Sequence, residues 1–118
     1  MTREFIMTPE FDKTWSRMGL GDDDLKKLQE EILKNPKVGE VIQGTGGLRK
    51  MRFALDEGKS GGARVLYVDL ESFQEVYLIT SYSKNKKDDL TQENKAVIKR
   101  MIEQLKASAG ERRNDDGL

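Results

Sequence analysis

The spacing of apolar residues switches from helical to alternating at Gly44-Thr45-Gly46-Gly47, and that switch does most to fix the fold class. Before it the spacing is helical. Phe11, Trp15 and Met18 recur at i, i+4 and i+7 behind Thr8-Pro9, a cap residue followed by proline at the first helical position. Gly19 and Gly21 end that helix, and Asp22 caps a second one lined by Leu25, Leu28, Ile32 and Leu33, which Pro36 stops. Beyond the glycines the residues alternate. Leu48, Lys50, Arg52 and Ala54 share one face of a strand, and Arg49, Met51, Phe53 and Leu55 share the other.

Residues 65–70 and 75–81 are rich in β-branched, aromatic and aliphatic side chains and are expected as two central strands joined by a turn at 71–74. Residues 56–62 read as a flexible hairpin loop. Arg3 to Met7 can form a short first strand, and Thr91 caps a last helix with an Ile98, Met101, Ile102 and Leu105 stripe. The expectation is an α+β fold, a thin two-layer domain with the first strand and an αα-hairpin packed on a small antiparallel sheet and a C-terminal helix. Residues 1–107 are expected to form one domain, a usual size, and residues 108–118, nearly devoid of apolar side chains, a flexible tail.

The chain has neither cysteine nor histidine. Disulfides, thiolate nucleophiles, Cys-based zinc sites and the common imidazole proton shuttle are therefore excluded, and acid-base chemistry falls to Tyr, Lys or carboxylates. The residues MTREFIMTPEF lack the apolar run of a signal peptide, and nothing approaches the ~20 apolar residues of a membrane span, so a cytoplasmic protein is expected. Formal net charge is +0, which leaves only local attraction to nucleic acid.

That attraction has a place. Arg49, Lys50, Arg52, Lys59 and Arg64 cluster in the sheet sector, and Lys84, Lys86 and Lys87 follow the last strand. Clustered surface charges are most often simply solvated. Here, however, Lys50 and Arg52 project from one face, and an antiparallel neighbour can bring Arg64 beside them. Such cations repel one another until an anion such as phosphate arrives. Tyr82 and Lys84, two residues apart, can point the same way, whereas Tyr67, Tyr77 and Trp15 are expected in the core. The glycine run lacks the lysine and hydroxyl residue of a nucleotide-binding loop and precedes a strand, so it reads as a tight turn. Asp22, Asp23 and Asp24 suit a helix N-terminus better than a cation site.

The segment from Asn35 through Arg52, with Pro36, Gly39, Gly44-Thr45-Gly46-Gly47-Leu48-Arg49-Lys50 and Arg52, resembles HigB-type members of the RelE/ParE toxin superfamily. Gly61-Gly62-Ala63-Arg64-Val65-Leu66-Tyr67, Tyr82-Ser83-Lys84-Asn85 and Asp89-Leu90-Thr91 resemble further blocks in the same order. The resemblance implies a RelE-like fold and a toxin that cuts messenger RNA in the ribosomal A site, paired with a HigA-type helix-turn-helix antitoxin. It implies attack by the RNA's own 2′-hydroxyl, so no metal, small-molecule cofactor or membrane partner is expected. Arg64 and Arg52 would stabilise the phosphorane-like transition state, Lys50 or Lys84 would serve as base, and Tyr82 would stack on a base or shuttle a proton. Arg49, Lys59, Lys86 and Lys87 would bind RNA more widely. Some RelE-type toxins carry an arginine and a tyrosine where this chain has Asn85 and Thr91. A ParE-like gyrase inhibitor and a catalytically inactive antitoxin-binding module are the alternatives.

Overall fold

The computed structural model describes residues 2–55, 62–86 and 90–116, with side chains through residue 110. The elements are β1 (Glu4–Met7), α1 (Pro9–Arg17), α2 (Asp22–Lys34), β2 (Glu40–Val41), β3 (Leu48–Phe53), β4 (Ala63–Leu70), a short 3-10 turn (Glu71–Phe73), β5 (Glu75–Ser83) and α3 (Gln92–Asp116). They form a five-stranded sheet in the order β1-β5-β4-β3-β2. The sheet is mixed, because β1 runs parallel to β5, with Glu4 beside Glu75 and Met7 beside Leu78. An all-antiparallel sheet was expected; a parallel neighbour requires a long crossover, and here α1, α2 and three strands supply it.

Two cores back the sheet. Phe11, Trp15, Leu28 and Ile32 close one face against Met51, Phe53, Val65, Tyr67, Val76 and Leu78. Ile102 and Ala109 of α3 close the other against Leu48, Leu66, Val68, Leu70 and Tyr77. Alternate residues of β4 thus serve opposite cores, and the domain has three layers instead of the two expected. In the first core Phe11 stacks on Trp15 at 5.2 Å between ring centroids. The Trp15 indole N–H, which needs a partner when buried, donates to the Gly21 carbonyl at 3.2 Å.

The helix boundaries follow from caps. The Thr8 hydroxyl accepts from the Phe11 N–H at 3.1 Å and starts α1. Gly21, not Asp22, is the N-cap of α2, and the Asp24 carboxylate accepts from the Gly21 N–H at 3.3 Å. The Thr91 hydroxyl accepts from the Asn94 N–H at 3.1 Å, as expected of a cap. α3 continues well past Leu105, through the residues expected as a tail, to Asp116. Its small residues explain why composition misleads: Ala109 is 2% exposed, and a side chain at Gly110 would approach the Phe73 ring. At the far edge, the Arg3 guanidinium meets the Asp69 carboxylate at 2.8 Å, a hydrogen bond that raises the arginine's already high pKa. Among the described residues no helix is long and apolar enough to cross a membrane.

Candidate active site

In β3 the residues on the α3 side are Leu48, Lys50 and Arg52; only Leu48 is buried, while Lys50 and Arg52 are exposed. Arg52 lies directly opposite Arg64 of β4, and Arg64 lies directly opposite Tyr82 of β5. Arg52, Arg64 and Tyr82 therefore form one row across three strands. Directly opposed residues have Cβ atoms about 5 Å apart, and opposed like charges are destabilising. A row with two guanidinium groups is relieved by an anion between them.

Tyr82 reaches this row through an irregularity. Along β5, Tyr77 faces the α3 side and strict alternation would put Ile79, Ser81 and Ser83 there with it. Yet Leu66 pairs with Thr80 whereas Tyr67 pairs with Leu78, so β5 spends one extra residue, Ile79, at that point. This β-bulge inverts the alternation beyond it and carries Tyr82 to the side of Arg64. The bulge is built in: the Ile79 carbonyl accepts from the Thr8 hydroxyl at 2.7 Å, and the Leu78 carbonyl accepts from the Thr8 N–H at 3.1 Å. Tyr82 belongs to the strand, not to the segment beyond it as expected, since β5 runs to Ser83. Half-buried, it packs against the α3-side core.

Two clefts adjoin the row, and Arg52 and Arg64 line both. One, of about 440 Å³, adds Lys84, Glu31, Leu55 and the Gly62 backbone among its walls. The other, of about 470 Å³, adds Lys50, Val38, Glu40 and Met51. The five residues expected to carry the chemistry, Lys50, Arg52, Arg64, Tyr82 and Lys84, are thus brought together, one lysine to each cleft and the arginines between. Lys84 is positioned by the end of the hairpin, its N–H donating to the Gly62 carbonyl at 3.3 Å.

The wider set of cations divides. Arg49 lines neither cleft; its guanidinium donates to the Gly39 carbonyl at 2.7 Å and reaches the Lys37 carbonyl at 3.5 Å. Its observed work is to tie the segment before β2 to β3. Lys86 is exposed beyond β5 and lines neither cleft. Lys59 and Lys87 lie outside the described residues. Among the described residues no group of three His, Cys, Asp or Glu side chains is placed to hold a metal ion.

One clamp went unread in the sequence. Tyr67 is fully buried, and its hydroxyl donates to the Pro36 carbonyl at 2.8 Å while accepting from the Gly39 N–H at 2.9 Å. Burial pushes its phenol above the ordinary value, and the Gly39 hydrogen bond opposes that rise only in part. Gly39 must be glycine, because a Cβ there would stand 2.9 Å from the Tyr67 ring and 3.1 Å from the Lys50 carbonyl oxygen. The glycine run is a tight turn, as expected: Gly44, Gly46 and Gly47 have φ of +83°, +76° and +125°. The buried Thr45 hydroxyl closes it by donating to the Ile42 carbonyl at 2.6 Å and accepting from the Leu48 N–H at 3.1 Å. Val38, Glu31 and Glu40, the non-cationic rims of the clefts, were also missed. No spacing rule marks a residue whose role depends on α2 and β2 meeting the edge of β3.

The small three-layer domain thus carries, on one face of a mixed sheet, a row of two arginines and a tyrosine with a lysine in the cleft to either side. The family model described as the RelE toxin of the RelE/RelB toxin-antitoxin system matches residues 5–114, and the chain belongs to that family, within the RelE/ParE superfamily. It is a RelE-like toxin of a toxin-antitoxin system. Solved structures agree on the fold. A double arginine-to-alanine variant of E. coli toxin RelE in the free state is similar with a TM-score of 0.54 at 21% identity, covering 72% of this chain and 86% of that one. The isolated E. coli RelE toxin gives 0.53 at 21% identity over 85% of this chain and 99% of its own. The intact E. coli RelBE toxin-antitoxin complex gives 0.53 at 20% identity, over 72% and 100%.

Proposed function

We infer that this chain is the toxin of a type II module and an endoribonuclease that cuts messenger RNA in the ribosomal A site. The observation that supports this most directly is the open row of Arg52, Arg64 and Tyr82, with Lys50 and Lys84 in the clefts beside it. In the reaction the 2′-oxygen attacks the adjacent phosphorus, the bond from phosphorus to the 5′-oxygen breaks, and the products are a 2′,3′-cyclic phosphate and a 5′-hydroxyl. The pentacoordinate transition state carries more negative charge than the diester. Two guanidinium groups set about the phosphate hold that extra charge without rearranging, which is the largest single source of such catalysis.

The proton of the 2′-hydroxyl must leave and the 5′-oxygen must gain one. Lys50 and Lys84, in separate clefts with the arginines between them, suit these two transfers, and no metal step is needed. Tyr82, at the end of the row, offers a ring for a base or a hydroxyl for proton relay. The partner is an antitoxin, of the helix-turn-helix HigA type if the chain is a HigB-type toxin, and the site of action is the cytoplasm.

The test is translation in a cell-free extract with the pure protein. Reporter RNA is expected to be cut within the A-site codon, leaving cyclic phosphate and 5′-hydroxyl ends. Intact RNA alongside normal translation overturns the reading, and a DNA-damage response in cells without RNA cleavage would favour gyrase as target.

A further inference from the structure

The segment from Pro36 to Glu40 is held far more tightly than an exposed connection requires. The buried Tyr67 hydroxyl grips it at Pro36 and Gly39, and Arg49 grips the Gly39 carbonyl. The Val38 N–H donates to the Asn35 carbonyl at 2.9 Å, and Gly39 packs too closely to tolerate a side chain. Burial does not explain the arrangement, because the side chains so fixed point outward: Val38 is 40% exposed and Glu40 is exposed beside it. Both line the 470 Å³ cleft that contains Lys50, Arg52 and Arg64. Glu40 lies directly opposite Lys50 across the β2–β3 ladder, a favourable placement of opposite charges, and from there its carboxylate also lines the cleft and meets whatever enters it.

We propose that Glu40, steadied by this clamp, is a specificity-determining residue that disfavours uracil in the nucleotide next to the scissile phosphate. The inference rests on the RNA-cleaving role given above. With the phosphate on Arg52 and Arg64, a flanking base enters the Lys50 cleft, and Val38 offers its face an apolar contact. An ionised carboxylate only accepts hydrogen bonds. Adenine, cytosine and guanine each bring an amino group to their pairing edge. Uracil brings no amino group, only one N–H set between two carbonyl oxygens, so a carboxylate that accepts from it meets a repelling acceptor on either side. Discrimination of this sort works by repulsion of the wrong partner as much as by attraction of the right one.

Two measurements test it. In the cell-free extract, wild-type cleavage sites should be depleted of uracil at one of the two nucleotides flanking the cut. Glu40→Gln, whose amide can both donate and accept, should raise relative use of uracil at that position by about tenfold, within the range one discriminating contact supplies. Loss of folding cannot produce that gain. In parallel, binding of short 2′-O-methyl RNAs that differ only in uracil or cytosine at that position reads the preference without cleavage. Wild type should favour cytosine, and Glu40→Gln should bind both alike. An unchanged cut-site distribution in Glu40→Gln, no uracil depletion in wild type, or equal or absent binding of both RNAs by wild type overturns the proposal. Failure to cut together with a Glu40-dependent binding preference would instead overturn the nuclease reading alone.

Discussion

Under α3, Leu48, Leu66, Val68 and Tyr77 are nearly sealed from solvent against Ile102 and Ala109, while further along the same strands and the same face Lys50, Arg52 and Arg64 stand open. The two halves share the same three strands in the same order, with only the bulge in β5 between them; they differ in whether a helix lies above them. Covered, the face is held by apolar burial at roughly 25 cal/mol per Å². Uncovered, it carries Lys50, Arg52 and Arg64, with Glu40 on the rim of the same cleft. Apolar burial and the cationic row are thus segregated lengthwise along β3, β4 and β5 instead of between faces.

Substitutions in the two halves should therefore behave oppositely. The largest effect is expected from Arg64→Ala, which should lower the cleavage rate by a hundredfold or more, equivalent to ~3 to 4 kcal/mol in the transition state, with an almost unchanged urea midpoint. A parallel fall in midpoint would show Arg64 to be structural. Ile102→Ala, in the covered half, should cost about 2–5 kcal/mol of unfolding free energy by leaving a cavity, while RNA affinity of the folded fraction stays near wild type. Urea denaturation and anisotropy with a short RNA separate the two.

Tyr67→Phe should cost about 1–3 kcal/mol by stranding the Pro36 carbonyl and the Gly39 N–H. It should also change the alkaline limb. Because burial raises the folded phenol above its unfolded value of about 10, wild-type stability is fully present below that pH and declines as pH climbs through the folded value. Tyr67→Phe should flatten this decline in urea midpoints taken across pH 9 to 12; an identical decline would assign it to other groups. The smallest effect is expected from Lys86→Ala, outside both clefts: stability within ~0.5 kcal/mol, and at most a modest loss of RNA affinity that vanishes as salt is raised.

The sequence made local matters legible. α1 and β3 could be read closely because caps and periodicity act over a few residues: Thr8, Pro9, Phe11, Trp15 and the alternation from Leu48 to Phe53 each declare themselves. That Lys50, Arg52 and Arg64 share one face was legible for the same reason. What depends on distant chain was not. The parallel pairing of β1 is decided by β5, the third layer by the small residues late in α3, and the orientation of Tyr82 by a bulge whose carbonyl is taken up by Thr8. Arg49 looked like its neighbours in composition, yet its position on the opposite side of β3 makes it a backbone tie.

The pairing of Glu4 with Glu75 sets an order of assembly on the newborn chain. At about 5–20 residues per second, synthesis leaves the first strand without its neighbour for on the order of several seconds. Throughout that interval α1 has no β5 to lie on, and the row formed by Arg52, Arg64 and Tyr82 lacks its last member. The row can be completed only after Tyr82 has emerged from the exit tunnel, so this face of a nascent chain stays unfinished until most of its length has been made.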